Sequence, residues 1–248
     1  MIFEKKFTVA YAETGINGKL KPVSILNYLQ DVASEHTGVL GVSAFDLFPR
    51  DLAWVVFRYH IRIFAYPRWK DQLRIRTWRY PLNNLYELRQ YEMFDDTGRL
   101  VISSKSAWIL TRLSTKKPVR LNKNLTPELM GSHQQPIDND LPDLPEMTGP
   151  DQRRSFCVRM HDLDFNRHVN NSVYAVWALE SVPAEIIQSL HPKEITINYL
   201  GESLYGDTVT SRTQQLASNP AHSFLHAIFS RQSGKEITRI KTVWDCFD

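Results

Sequence analysis

The chain has 248 residues, 42% of them hydrophobic and 23% charged, with a formal charge of +3 at pH 7. That length suits one large domain or two of about 120 residues, each able to bury its own core. No run of about 18 apolar residues occurs, so no membrane-spanning helix is expected, and the mild positive charge falls short of a nucleic-acid-binding signature. The opening MIFEKKFTVAYAE has no apolar signal-peptide core, and the two cysteines, Cys157 and Cys246, form no CxxC pair. The expectation is a cytoplasmic protein with no disulfide framework, no metal site and no cofactor.

In chain order, FTVAY reads as a strand, and a helix begins at about Val23, with Ile25, Tyr28, Leu29 and Val32 on one face. Four strands follow: AWVVFRYHIRIF, QLRIRTWRY, YELRQYEMF and LVISSKSAWIL, the last two joined by the turn DDTG. From 114 to 150 the texture changes: six of the 13 prolines fall there, and GSHQQPIDNDLPDLPEMTGP has almost no apolar periodicity. Residues 131–150 read as a linker, preceded by a short helix at TPELMG with Thr126 as cap. Beyond it the pattern is written again: SFCVRM, a helix over 171–190, then EITINYL, TVTSRTQQL, SFLHAIFSR and EITRIKTVWDCF, with RQSGK in the place of DDTG.

The two copies keep a constant offset of 136 across their strands. Asp71, Arg76, Thr77, Gly98 and Trp108 recur as Asp207, Arg212, Thr213, Gly234 and Trp244. Each unit is strand, helix, then four strands, and one helix laid across the apolar face of an antiparallel sheet would bury that face. The expected fold is α+β, a double hotdog: 1–130 as a first repeat, 131–150 as linker, 151–248 as a second repeat.

Ahead of the second helix, Asp164, Asn166 and His168 alternate, the spacing at which an extended segment points side chains the same way. Matching the two helices at an offset of 150 pairs Val23 with Val173 and Leu29 with Leu179. It also sets Asp164, Asn166 and His168 against Thr14, Ile16 and Gly18. On that alignment the first copy lacks every polar member of the set, which favours function over fold as the reason for it. Imidazole titrates near neutrality, so His168 suits acid–base work. Asn166 can donate to a carbonyl oxygen or hold the loop; Asp164 can orient the imidazole, act as a base, or be a solvated turn carboxylate. Asn170 or Asn171 caps the helix, and Tyr174 and Trp177 read as core.

D-x-N-x-H-V-N-N-x-x-Y-x-x-W at 164–177, YPRWKD at 66–71 and INYLGES at 197–203 resemble the acyl-acyl carrier protein thioesterases of bacteria and plants, over nearly the whole chain. The resemblance implies hydrolysis of fatty acyl-carrier thioesters, releasing free fatty acid and ending elongation. It implies a catalytic set of Asp164, Asn166, His168 and Glu202, with Glu202 activating water or attacking the carbonyl. Plant relatives usually carry Cys at the position of Ser203, so a cysteine nucleophile is not available here. The first repeat would house the acyl chain. The partner would be acyl carrier protein bearing a fatty acyl-phosphopantetheine, met by basic runs at 68–70, 74–79 and 116–123, and a homodimer is possible. An acyl-CoA thioesterase on the same fold, or a non-catalytic acyl-thioester sensor, is the alternative.

Overall fold

The structure is a computed structural model, and it describes residues 1–130, 137–164, 166–217 and 222–246. The chain forms two compact units that divide between Leu141 and Pro142, within the predicted linker. The first six linker residues, 131–136, lie outside the described residues.

The first unit opens with strand β1 (Phe3–Thr8) and helix α1 (Pro22–Val39). Pro22 sits at the first helical position, where its missing N–H costs nothing. Gly41, at φ 68°, lets the chain turn away just beyond the helix. Two short helices, α2 (Ala44–Leu47) and α3 (Leu121–Asn124), flank strands β2 (Leu52–Ile63), β3 (Gln72–Leu82), β4 (Tyr86–Phe94) and β5 (Leu100–Arg112). The sheet is antiparallel in the order β1-β3-β4-β5-β2. The predicted short helix at TPELMG is a 3₁₀ turn at Pro127–Leu129. In the DDTG turn, Asp95 accepts the amides of Thr97 and Arg99, and Gly98 takes a left-handed φ of 83°.

Ile25, Leu29, Val32 and His36 form the fully buried stripe of α1. The sheet residues beneath it are not all apolar. The odd positions of β3 and β4 bring Thr77, Arg79, Glu87 and Arg89 inside, each no more than 3% exposed. Arg79 Nε donates to Glu87 Oε2 at 2.7 Å, and Arg89 Nη1 donates to His36 Nδ1 at 3.0 Å and to Thr77 Oγ1 at 3.2 Å. Burial, then the charges of Arg89 and Arg79, push His36 down to about 3, so its imidazole is neutral and can accept from Arg89.

The second unit repeats the topology: β6 (Gln152–Cys157), α4 (Asn171–Leu179), α5 (Ala184–Ser189), β7 (His191–Tyr199), β8 (Thr208–Leu216), β9 (Ser223–Ser230) and β10 (Glu236–Asp245). Its strands order as β7-β10-β9-β8-β6, the first unit's arrangement read from the other edge. One expectation fails here. The helix over 171–190 is two helices, because Pro183 has no N–H to continue α4 and biases Val182 away from helical ψ. Helix α4 buries Ser172, Tyr174, Ala175, Trp177 and Ala178, as expected for Tyr174 and Trp177, whereas Val173, Val176 and Leu179 are half-buried.

Candidate active site

The segment before α4 is not extended, as alternation suggested. A 3₁₀ turn at Met160–Asp162 leads to an isolated bridge between Leu163 and Val169. Asp164 N–H donates to His168 O at 2.8 Å, and Arg167 N–H donates to Asp164 O at 3.0 Å. Asp164 Oδ1 accepts the Asn166 amide at 2.8 Å, an Asx turn that D-x-N could also have signalled. Asn170 then caps α4, its Oδ1 accepting from Ser172 N at 3.0 Å.

Within this turn the predicted residues separate into two pairs. Asp164 Oδ2 meets Asn166 Nδ2 at 3.4 Å, while His168 Nε2 lies 3.2 Å from Glu202 Oε2, on the β7–β8 connection. Asp164 bonds to the turn and makes no hydrogen bond to the imidazole among the described residues. The His168 and Glu202 side chains are 34% and 43% exposed, open enough for a substrate to reach both. His168 Nδ1 has no hydrogen-bond partner among the described residues.

Glu202 is held through its neighbour. Ser203 O accepts from Val169 N at 3.2 Å, Ser203 N donates to Tyr174 Oη at 3.1 Å, and Ser203 Oγ donates to Asp207 Oδ2 at 2.8 Å. The Tyr174 phenol is pushed above its ordinary range, first by burial and then by the nearby charges of Glu202, Asp164 and Asp207. Cys157 and Cys246 are exposed free thiols, neither in the loops that bear His168 and Glu202.

The first unit builds the same turn. Gly15 N to Lys19 O, Gly18 N to Gly15 O and Leu20 N to Pro67 O reproduce the bonds at Asp164, Arg167 and Val169. The offset in this region is therefore 149 (164 − 15), not 150, and 136 (203 − 67) at the β7–β8 connection. The alignment with Thr14, Ile16 and Gly18 is corrected accordingly. The counterparts are Gly15 for Asp164, Asn17 for Asn166, Lys19 for His168 and Tyr66 for Glu202. Asn166 thus has an Asn in the other copy, where Asn17 Oδ1 accepts from Lys19 N at 3.0 Å and serves the turn. Asp164, His168 and Glu202 have no equivalent.

The basic runs fare unequally. Arg74 pairs with Glu4 at 2.9 Å and Arg76 with Glu92 at 3.7 Å, and Arg79 is buried on Glu87, so 74–79 offers no solvated basic face. Arg68, Lys70, Lys116, Lys117, Arg120 and Lys123 are exposed.

A helix laid on an antiparallel sheet, made twice, is the double-hotdog architecture, and in the second copy His168, ahead of α4, meets Glu202 from the β7–β8 connection. A family model for the acyl-ACP thioesterase N-terminal domain matches residues 1–129, and one for the C-terminal domain matches 146–246. The chain belongs to the acyl-ACP thioesterase family. It is similar to oleoyl-acyl carrier protein thioesterase 2 of Arabidopsis thaliana, at 30% identity over 98% of this chain and 76% of that one. It is also similar to palmitoyl-acyl carrier protein thioesterase of Cuphea hookeriana, at 28% identity over 98% and 62%. In fold it matches the 12:0-ACP thioesterase from Umbellularia californica, with a TM-score of 0.87 at 24% identity, covering 99% and 97% of the two chains. An acyl-ACP thioesterase from Bacteroides thetaiotaomicron gives a TM-score of 0.85 at 22% identity, covering 98% of each chain.

Proposed function

We propose that this protein hydrolyses the thioester of fatty acyl-acyl carrier protein, with His168 as the base, Glu202 as its orienting carboxylate and water as the nucleophile. The observation that carries the assignment is the 3.2 Å contact between His168 Nε2 on the turn and Glu202 Oε2 on the β7–β8 connection, where the first unit has Lys19 and Tyr66.

In the tautomer that turns Nε2–H toward Glu202, 3.2 Å away, the basic nitrogen is Nδ1, and that nitrogen takes the proton of the attacking water. The negative carboxylate stabilises the imidazolium that forms. Hydroxide adds to the carbonyl carbon, the oxyanion accepts hydrogen bonds, and its collapse breaks the carbon–sulfur bond. The imidazolium returns its proton to the thiolate, giving a free fatty acid and the carrier's thiol. Donors for the oxyanion are the second Asn166 Nδ2–H and the positive end of α4. Ser203 is 2% exposed and its hydroxyl is donated to Asp207, which argues against an acyl-serine route.

The acyl chain is assigned to the first unit, against the apolar part of the α1 layer around Ile25 and Leu29. The carrier's acidic surface is assigned to the exposed basic runs 68–70 and 116–123. The test is hydrolysis of a panel of acyl-carrier thioesters and the matching acyl-CoA thioesters, with the released acids quantified. Turnover of carrier thioesters that is lost in His168→Ala supports the reading; preference for CoA thioesters overturns the choice of carrier.

A further inference from the structure

Asp207 is 2% exposed and has no ion-pair partner among the described residues. A carboxylate buried without a cation is costly unless hydrogen bonds stabilise its charge. Here they do. Oδ2 accepts Ser203 Oγ–H at 2.8 Å and Ser230 Oγ–H at 2.7 Å, and Oδ1 accepts Gln232 N–H at 3.3 Å. These donors hold its carboxyl below the usual range, against the opposing effect of burial.

Through Ser203 this anion is one residue away from Glu202. Ser203 is fixed at all of its polar groups: its hydroxyl to Asp207, its N–H to Tyr174 on α4, its carbonyl to Val169 beside His168. A residue held in three directions fixes the start of the Glu202 side chain, and the Val169 bond sets that residue level with His168.

The first unit shows that the fold does not need this network. It keeps the backbone bond, Leu20 N to Pro67 O at 2.7 Å, and keeps an aspartate, Asp71, at the position of Asp207. Yet Pro67 replaces Ser203, Ile25 replaces Tyr174 and Phe94 replaces Ser230. Asp71 is exposed, and its carboxylate accepts Arg68 N–H at 2.8 Å instead. The side-chain network occurs only in the unit that has the imidazole–carboxylate pair.

We propose that Asp207 is a positioning residue for the His168–Glu202 pair, acting through the Ser203 hydroxyl. The proposal rests on that pair performing the hydrolysis. Removing either end of the Asp207–Ser203 bond lets Glu202 move off the imidazole, which slows turnover and leaves ground-state binding of the acyl carrier unchanged.

The experiment measures kcat and KM for Ser203→Ala, Asp207→Asn and the double variant, using an acyl-carrier thioester that the wild type hydrolyses. Each single variant is expected to lose about tenfold in kcat at unchanged KM, equivalent to about 1.4 kcal/mol of barrier. The double variant is expected to be no slower than the worse single one, because the two act as one unit. Ser203→Thr, which restores a hydroxyl, should recover kcat. The proposal is overturned by additive losses of about a hundredfold in the double variant, by kcat within twofold of wild type in a folded single variant, or by no recovery with Thr. If Asp207→Asn does not fold, the comparison of Ser203→Ala with Ser203→Thr decides. Should His168→Ala and Glu202→Ala both retain full activity, the catalytic pair is wrong; that result is read independently of the Ser203 and Asp207 variants.

Discussion

Replacing Glu202 with Gln removes the charge opposite His168 while keeping the side chain's length. In the resting protein little should change. Both partners are more than a third exposed, so their attraction is screened and contributes about 0–1 kcal/mol to folding. During turnover the imidazole becomes a cation, and a hydrogen bond from a charged donor is worth about 1.5–3 kcal/mol. That alone is roughly 10- to 150-fold in rate. The amide can also present its NH₂ to Nε2, favouring the tautomer in which Nδ1 holds the proton and cannot act as the base. The combined expectation is a loss of about 10²-fold in kcat with a melting temperature close to wild type. A fully buried triad carboxylate loses about 10⁴ on the same change, and solvent access to this pair explains the smaller figure. Steady-state assays on an acyl-carrier thioester, alongside thermal melts, read both quantities. A folded Glu202→Gln protein with kcat within threefold of wild type refutes the assigned role, and a large loss of melting temperature refutes the claim that the pair is functional rather than structural.

Other outcomes follow from the two interiors. Glu87→Ala leaves Arg79 charged, buried and unpaired, and should cost about 3–5 kcal/mol by urea denaturation; a cost below 1 kcal/mol would show that water already solvates Arg79. His36 and His226 are both pushed by burial from 6.5 down to about 3. Their folded values lie below the unfolded one, so the unfolded chain binds more protons and stability should fall as pH drops from 6.5 toward 3. Each contributes up to about 1.4 kcal/mol per pH unit, and a urea midpoint unchanged between pH 6.5 and 4.5 would contradict this. Leu29, fully buried on α1, should when enlarged to Phe shift products toward shorter acids, at about 0.8 kcal/mol per excluded methylene; an unchanged product profile with lowered stability would make it core only.

Strand positions were the most legible part of the sequence. Period-two patterning and turn glycines brought β4 (Tyr86–Phe94) and β8 (Thr208–Leu216) into view with their observed bounds. The break between α4 and α5 is signalled by Pro183, but the surrounding apolar run favours one helix. The turn at Asp164 departs from its pattern for a general reason: alternation suits a strand, but Asp and Asn two apart also suit an Asx turn, and only the bond from Asp164 N to His168 O distinguishes them. A one-residue error in the repeat offset then hid Asn17 behind Asn166. The buried Arg79, Glu87 and Arg89 had a readable signal in their parity with Leu73, Ile75 and Met93, yet arginines in strands are ordinarily taken as solvated. The burial of Asp207 has no local signal, since two of the donors that stabilise it, Ser230 and Gln232, lie more than twenty positions away.

The most direct test of the central claim is single-turnover hydrolysis of an acyl-carrier thioester by His168→Ala, quenched rapidly and read by intact-protein mass spectrometry beside the wild type. The account expects the wild type to release free acid without ever gaining acyl mass, and the variant to remain folded and slow by about 10²–10⁴. A variant that keeps the wild-type rate, or a wild type that accumulates an acyl adduct on the peptide containing Ser203, would contradict it.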